Sequence, residues 1–194
     1  MQQSEPFRPA EITDAELLAE LVNFAGEGMP LYLWEQMAAP RETAWNVGCA
    51  RAAREEGSFS YRNAMIIEHQ GKATGCLIGY DVPTEPVPIP TNFPAMFVPL
   101  QELENLAPAT WYVNILAIMT TNRGLGLGTK LLHLADETAA TRGLRGVSLI
   151  VADGNHGACR LYERSGFVTT ATRPMVKEGG ANRGENWRLM IKLL

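Results

Sequence analysis

The residues whose types and spacing could do chemistry form one uninterrupted run: Arg123, Gly124, Leu125, Gly126, Leu127 and Gly128. The stretch before them, Trp111 to Ile118, is aromatic and β-branched and too short for a typical helix, which predicts a strand. After them, Leu127, Leu131, Leu134 and Thr138 recur at helical spacing, with Leu132 and Ala135 beside them. The glycines therefore stand where a strand ends and a helix begins. There, glycine lets successive backbone N–H groups face a single point, and the helix start adds unpaired donors and the positive end of its dipole. Such a turn is a seat for phosphate oxygens.

The spacing narrows the ligand. A dinucleotide site asks for Gly-x-Gly-x-x-Gly early in a strand–helix–strand unit, but here the glycines alternate, position 131 is leucine and the run falls late in the chain. A P-loop asks for Gly-Lys-Ser/Thr, whereas Thr129 stands between Gly128 and Lys130. Neither fits. A second run lies downstream, beyond a predicted strand at Gly146 to Val151. Asn155 can cap a short helix on which Ala158, Leu161, Tyr162 and Ser165 share a face, and Gly166 ends it before Phe167.

Together these runs resemble a known family. Arg-x-x-Gly-x-Gly, from Arg123 to Gly128, resembles motif A of the GNAT family of N-acetyltransferases. Asn-x-x-Ala-x-x-Leu-Tyr-x-x-x-Gly-Phe, from Asn155 to Phe167, matches that family's motif B at every named position. The likeness is tight over residues 111–167 and follows element order elsewhere. It implies an α+β GNAT (acyl-CoA N-acyltransferase) fold over a single domain, residues 1–194. In that fold a mixed, mostly antiparallel, twisted sheet carries helices on both faces.

No second histidine stands at metal-ligand spacing from His69, and His133 and His156 lie in separate elements, so no metal is expected. The resemblance also implies a co-substrate, acetyl-CoA. Its pyrophosphate would lie on the backbone of Arg123, Gly124, Leu125, Gly126, Leu127, Gly128 and Thr129, where Arg123 either adds charge or orders the loop. Backbone groups of Leu116, Ala117 and Ile118 would bond the pantetheine arm and the thioester carbonyl, with the Ile118 amide polarising that carbonyl. Asn155 resembles the family residue that contacts the arm. Acetyl transfer to an amine also needs a proton for the departing thiolate. Tyr162 is the candidate general acid, since a phenol titrating near 10 holds its proton at neutral pH; the other reading is that its ring only packs.

The base stays unassigned. Where some family members carry a carboxylate on the motif-A strand, this chain has Asn114 and Tyr112, either of which could order a water. Glu68, Asp81, Glu102 and Glu104 are the other carboxylates considered. The resulting function is transfer of acetyl from acetyl-CoA to a primary amine of a small molecule or peptide. The alternative is a non-catalytic sensor that binds acyl-CoA. Intact Arg123, Gly126, Gly128, Asn155 and Tyr162 favour the enzyme. Family members are often homodimers.

The remaining elements must position these residues. Leu17, Leu18, Leu21, Val22 and Ala25 form an apolar helical stripe opened by a Thr13 cap and closed at Gly26 and Gly28. Further helices are expected at Leu31 to Met37 and at Glu42 to Glu55, where Val47, Ala50 and Arg51 share a face. Trp34 and Trp45 read as packing residues. A hairpin follows, Asn63 to His69 and Ala73 to Tyr80 about Gln70-Gly71-Lys72. Residues 82–110 carry Pro83, Pro86, Pro88, Pro90, Pro94, Pro99 and Pro108, with room for a short helix at Leu100 to Leu106. A loop this long tends to be functional; the family resemblance implies a lid or wall of the acceptor site, against a surface excursion or an oligomer contact. Two closing strands, Phe167 to Thr172 and Trp187 to Leu193, are joined by a flexible link at Gly179, Gly180, Asn182 and Gly184.

Composition excludes several classes. With 194 residues, 46% of them hydrophobic, the chain can bury a full core. A net charge of −4 without any basic run argues against nucleic acid. The polar start, Met1 to Ala10, is not a signal peptide, and the apolar stretch at Asn92 to Leu100 is broken by Pro94 and Pro99, so no membrane span is expected. Cys49, Cys76 and Cys159 lack Cys-x-x-Cys spacing and read as reduced thiols of a cytoplasmic protein.

Overall fold

The computed structural model describes residues 6–177 and 184–194. Seven strands follow the order β1-β2-β3-β4-β5-β7-β6. They are β1 (Phe7–Pro9), β2 (Ala64–His69), β3 (Lys72–Asp81), β4 (Trp111–Ile118), β5 (Gly146–Ala152), β6 (Val168–Pro174) and β7 (Asn186–Leu193). The helices among the described residues are α1 (Ala15–Ala25), α2 (Met29–Met37), α3 (Ala44–Ala52), α4 (Val98–Glu104), α5 (Leu127–Thr141) and α6 (His156–Arg164). The class is α+β with a mixed sheet: β4 and β5 run parallel, while the β1·β2, β2·β3, β5·β7 and β6·β7 pairs are antiparallel.

The chain forms two compact units. The first comprises Met1–Gly79 and Ile115–Leu131. Its core draws Leu18, Leu21 and Val22 from α1, Trp34 from α2, Val47 and Ala52 from α3, and Ile66, Cys76, Ile78 and Ala117 from the strands. Trp34 is a packing residue, as expected: its ring stacks on Phe59 and meets Trp45 edge-on. A side chain at Gly48 would strike that ring, so the residue must be glycine for α3 to lie this close. The buried face of α3 is accordingly Val47, Gly48 and Ala52, while Ala50 is exposed.

The start of α1 differs from expectation. Thr13 lies within a single 3-10 turn, Ile12–Asp14, and the Asp14 carboxylate instead accepts the Glu11 N–H at 2.8 Å. Each leucine removed from water, such as Leu18 and Leu21, contributes about 1.5–3 kcal/mol, against about 1 kcal/mol for a cap. Packing therefore sets the helix, and the cap adjusts to it. Strand β1 was not foreseen; three residues carry no readable period, and Phe7 to Pro9 form a strand because the β2 edge accepts them in register from Ile67 to Met65.

The second unit comprises Tyr80–Asn114 and Leu132–Leu194. Leu103, Ala107 and Leu189 form its buried cluster, packed by Ile150, Ala171, Trp187 and Ile191. The expected short helix in the proline-rich segment is α4, begun by Pro99 in its first turn and two residues earlier than foreseen. Thr110 ties the segment down: its hydroxyl donates to Ala107 O at 2.6 Å and lies 2.7 Å from Ser148 Oγ. β5 pairs with β7 from Gly146 opposite Leu193 to Ala152 opposite Trp187, whereas the β4·β5 ladder runs from Trp111 opposite Val147 to Val113 opposite Leu149. The link residues Gly179, Gly180 and Asn182 lie outside the described residues. No helix among the described residues is long and apolar enough to cross a membrane.

One prediction concerns acid stability. Arg8 spans Asp14 (2.7 Å) and Glu68 (2.8 Å), and its hydrogen bonds hold the Asp14 carboxyl below the usual carboxylate range. A depressed folded pKa contributes stability above the unfolded value, near 3.9, which is lost as pH falls through the folded pKa. Asp14→Asn is therefore expected to cost about 1 kcal/mol above pH 5, after discounting for solvent screening. Urea unfolding from pH 7 to pH 2.5 should show the gap between the two proteins closing at the acid end.

Candidate functional site

In the first unit, β4 runs out at Ile118 and the chain turns through Thr120–Asn122 into the glycine run. The Met119 N–H donates to Thr74 O at 2.8 Å, which anchors the strand end to β3. That approach depends on Gly75, where a Cβ would stand 2.5 Å from both Ala117 O and Ile118 Cδ1. Ala117 and Ile118 are buried and Leu116 is half-buried.

Gly124 and Gly126 have φ of 79° and 75°, in the left-handed region that side chains rarely adopt. No heavy atom lies within 4 Å of where a Cβ would stand on either. Both are exposed, as are Leu125 and Thr129, while Leu127 is buried and anchors the start of α5. The first N–H bonded back in this turn is that of Lys130, to Gly126 O at 3.2 Å. The N–H groups of Leu127, Gly128 and Thr129 precede any acceptor within the helix. The Arg123 guanidinium lies 4.6 Å from the centroid of the Phe24 ring on α1.

In the second unit, Asn155 caps α6 as expected, accepting the Ala158 N–H at 3.2 Å. Tyr162 is buried, with its ring 6.0 Å from Phe167. Burial, followed by the neighbouring Cys159 thiol, pushes the Tyr162 phenol up to about 12. Tyr112, on β4, is also buried; its ring lies 5.3 Å from that of Tyr80. The Tyr80 hydroxyl donates to Glu104 Oε2 at 3.0 Å. Burial raises both phenols, Tyr112 being raised further by Glu104 and by Tyr162.

The four carboxylates separate clearly. Glu68 pairs with Arg8 at 2.8 Å, Asp81 with Arg142 at 2.9 Å and Glu102 with Arg173 at 2.7 Å. Glu104 pairs with no cation among the described residues, and burial raises its carboxyl above the usual range although the Tyr80 hydrogen bond pulls the other way. Among the described residues no group of three or more His, Cys, Asp or Glu could hold a metal ion.

The sequence model of the acetyltransferase (GNAT) family matches residues 27–167. The chain belongs to this family. It is thus, by class, an acetyl-CoA-dependent N-acetyltransferase. Solved structures share the GNAT fold. An acetyltransferase is 22% identical at a TM-score of 0.65, with 96% of this chain and 98% of that one covered. An N-acetyltransferase from Staphylococcus aureus Mu50 is 19% identical at 0.64, covering 95% and 98%. A protein described as a streptothricin acetyltransferase from Bacillus anthracis, in complex with acetyl coenzyme A, is 19% identical at 0.50, covering 68% and 61%. A comparison with curated proteins finds no match.

The residues of this GNAT chain suit a pyrophosphate. The run from Arg123 to Lys130 contains no acidic side chain and offers unbonded helix-start donors beside two left-handed glycines. Leu116, Ala117, Ile118 and Arg123 to Thr129 fall in one unit, Asn155 and Tyr162 in the other. Sequence reasoning missed Tyr80 and Phe24, for which no local pattern signals a role. An exposed cation–π contact is worth about 0.5–1 kcal/mol. Phe24→Leu is therefore expected to free Arg123 and weaken acetyl-CoA binding by up to about fivefold, read by calorimetry.

Proposed function

We propose that this enzyme transfers the acetyl group of acetyl-CoA to a primary amine of a small molecule or peptide by direct attack. The observation that carries the reading is the paired left-handed conformation of Gly124 and Gly126 at the start of α5, in a chain of the acetyltransferase family. Acetyl-CoA supplies an activated acyl group. The backbone from Arg123 to Thr129 binds its pyrophosphate, and Asn155 contacts the pantetheine arm. Leu116 and Ala117 hold the arm through backbone groups, and the Ile118 N–H polarises the thioester carbonyl. The bond from Met119 N–H to Thr74 O supports this role, because adjacent N–H groups of an extended strand point to opposite edges, which turns that of Ile118 away from β3.

Tyr162 serves as general acid. Its buried phenol keeps its proton across the physiological range, so the donor is always in the required state. Because it titrates above a thiol, it releases that proton only as it regains one from the acylated nitrogen. The transfer is thus a relay in which Tyr162 ends as it began. Residues 82–110 contribute a wall of the acceptor site.

Two variants test this. Gly126→Glu brings a negative charge to the pyrophosphate seat and is expected to abolish acetyl-CoA binding by calorimetry while the circular dichroism spectrum persists; ordinary affinity would overturn the loop assignment. Tyr162→Phe should leave that affinity nearly unchanged and lower kcat by about 100-fold or more, measured by thiol release. An unchanged rate would remove Tyr162 from the chemistry.

A further inference from the structure

We infer that Glu104, held by the Tyr80 hydroxyl beside the Tyr112 ring, receives the acceptor as an ammonium ion and removes its proton before acetyl transfer. The inference rests on the transfer reaction proposed above and names the base that this reaction lacks.

The first argument is pairing. Of the four carboxylates considered, three are neutralised by an arginine on another element, and only Glu104 has a neutral hydroxyl as its partner among the described residues. A half-buried carboxylate without a cation is costly, and an arriving ammonium would offset that cost. The elements packed on α4 supply no substitute. Arg173 on β6 is engaged by Glu102, and Lys192 on β7 by Asp136 at 2.6 Å, while Arg188 acts on Asp153 and Cys159.

The second argument is surroundings. Tyr80 presents its hydroxyl to the carboxylate, and its ring lies 5.3 Å from that of Tyr112, which the charge of Glu104 also reaches. Aromatic faces with a carboxylate suit an alkylammonium, whose charge pairs with Glu104 while its carbons lie on the rings. Tyr112 also lies near enough to Tyr162 for that phenol to raise its own charging cost. One unit thus carries both a proton acceptor and a proton donor. The third argument is readiness. A base works best when it titrates near the working pH, and burial moves Glu104 upward in that direction.

The step balances. An N–H bond of the ammonium breaks, its proton moves to a Glu104 carboxylate oxygen and the electron pair stays on nitrogen. That pair forms the C–N bond to the acetyl carbonyl carbon, and the C–S bond breaks with its pair on sulfur. The nitrogen loses a second proton and the sulfur gains one, through Tyr162. One amide, one thiol and one proton result, and Glu104 passes its proton to water.

The test uses n-butylamine, protonated at neutral pH, and methoxyamine, which is neutral there and needs no base to expose its lone pair. Glu104→Gln is expected to slow thiol release with n-butylamine by about 100-fold or more and with methoxyamine by far less. It should also remove the acid limb of the pH profile for n-butylamine. Tyr80→Phe withdraws a hydrogen bond that favours the carboxylate, so that limb should move to higher pH. Independently of turnover, carbon-13 NMR of the Glu104 carboxyl, assigned by its loss in Glu104→Gln, should show its titration shifted to lower pH by n-butylammonium. Equal losses with both amines, an unmoved acid limb or a titration blind to n-butylammonium would overturn the proposal. So would wild-type protein that binds acetyl-CoA yet releases no thiol with either amine. Failure to bind acetyl-CoA at all would instead overturn the reading on which the proposal rests.

Discussion

The first turn of a helix carries N–H groups that no residue of that helix can accept, and the glycine run is arranged around this constraint. Gly124 and Gly126 take left-handed conformations that leave the space beside them open, and Leu127 seals the apolar side of α5. Arg123, the nearest cation before the turn, is drawn onto Phe24. The donors this turn leaves without an acceptor are therefore backbone groups, fixed by the fold and independent of pH. A side-chain cation would add charge, but it would also have to be ordered at each binding event. Backbone donors carry no such cost.

The second unit shows the complementary constraint, that of giving each charge a partner. Among its ion pairs, Arg142 with Asp81, Arg173 with Glu102 and Lys192 with Asp136 each set a long cationic side chain against a carboxylate. Tyr80, Tyr112 and Glu104 break that pattern with hydroxyls and a single acid. Exposed ion pairs contribute little to stability, so their main effect here is selective: they consume charges that would otherwise compete for an incoming cation. What remains chemically open is set by what the pairs leave over.

Local features of both motifs were legible because their physics is local. A cap, a glycine stop and an apolar stripe are all encoded within one or two helical turns. Thus Asn155 caps α6 as read, β4 occupies Trp111 to Ile118, and α5 begins at Leu127, the first residue of its apolar stripe. Where neighbours compete on equal terms, the reading slipped: Thr13 looks like a cap, yet Asp14 takes the Glu11 N–H because Arg8 and the α1 leucines fix the turn. Strand β1 was missed because three residues acquire strand conformation only from the β2 edge.

By itself, the sequence determined the α+β class, the family through two spaced motifs, and the place of the turn at Gly124 to Gly128 between a strand and a helix. Each of these depends on residues near one another along the chain. Only the tertiary structure decided the state of the four candidate carboxylates, which the sequence presents as equals. Glu68 meets Arg8 across 60 residues and Glu102 meets Arg173 across 71, while Glu104 meets the Tyr80 hydroxyl across 24. A carboxylate's reactivity depends on its partner and its exposure to water, and both are fixed by segments that meet only once the chain has folded.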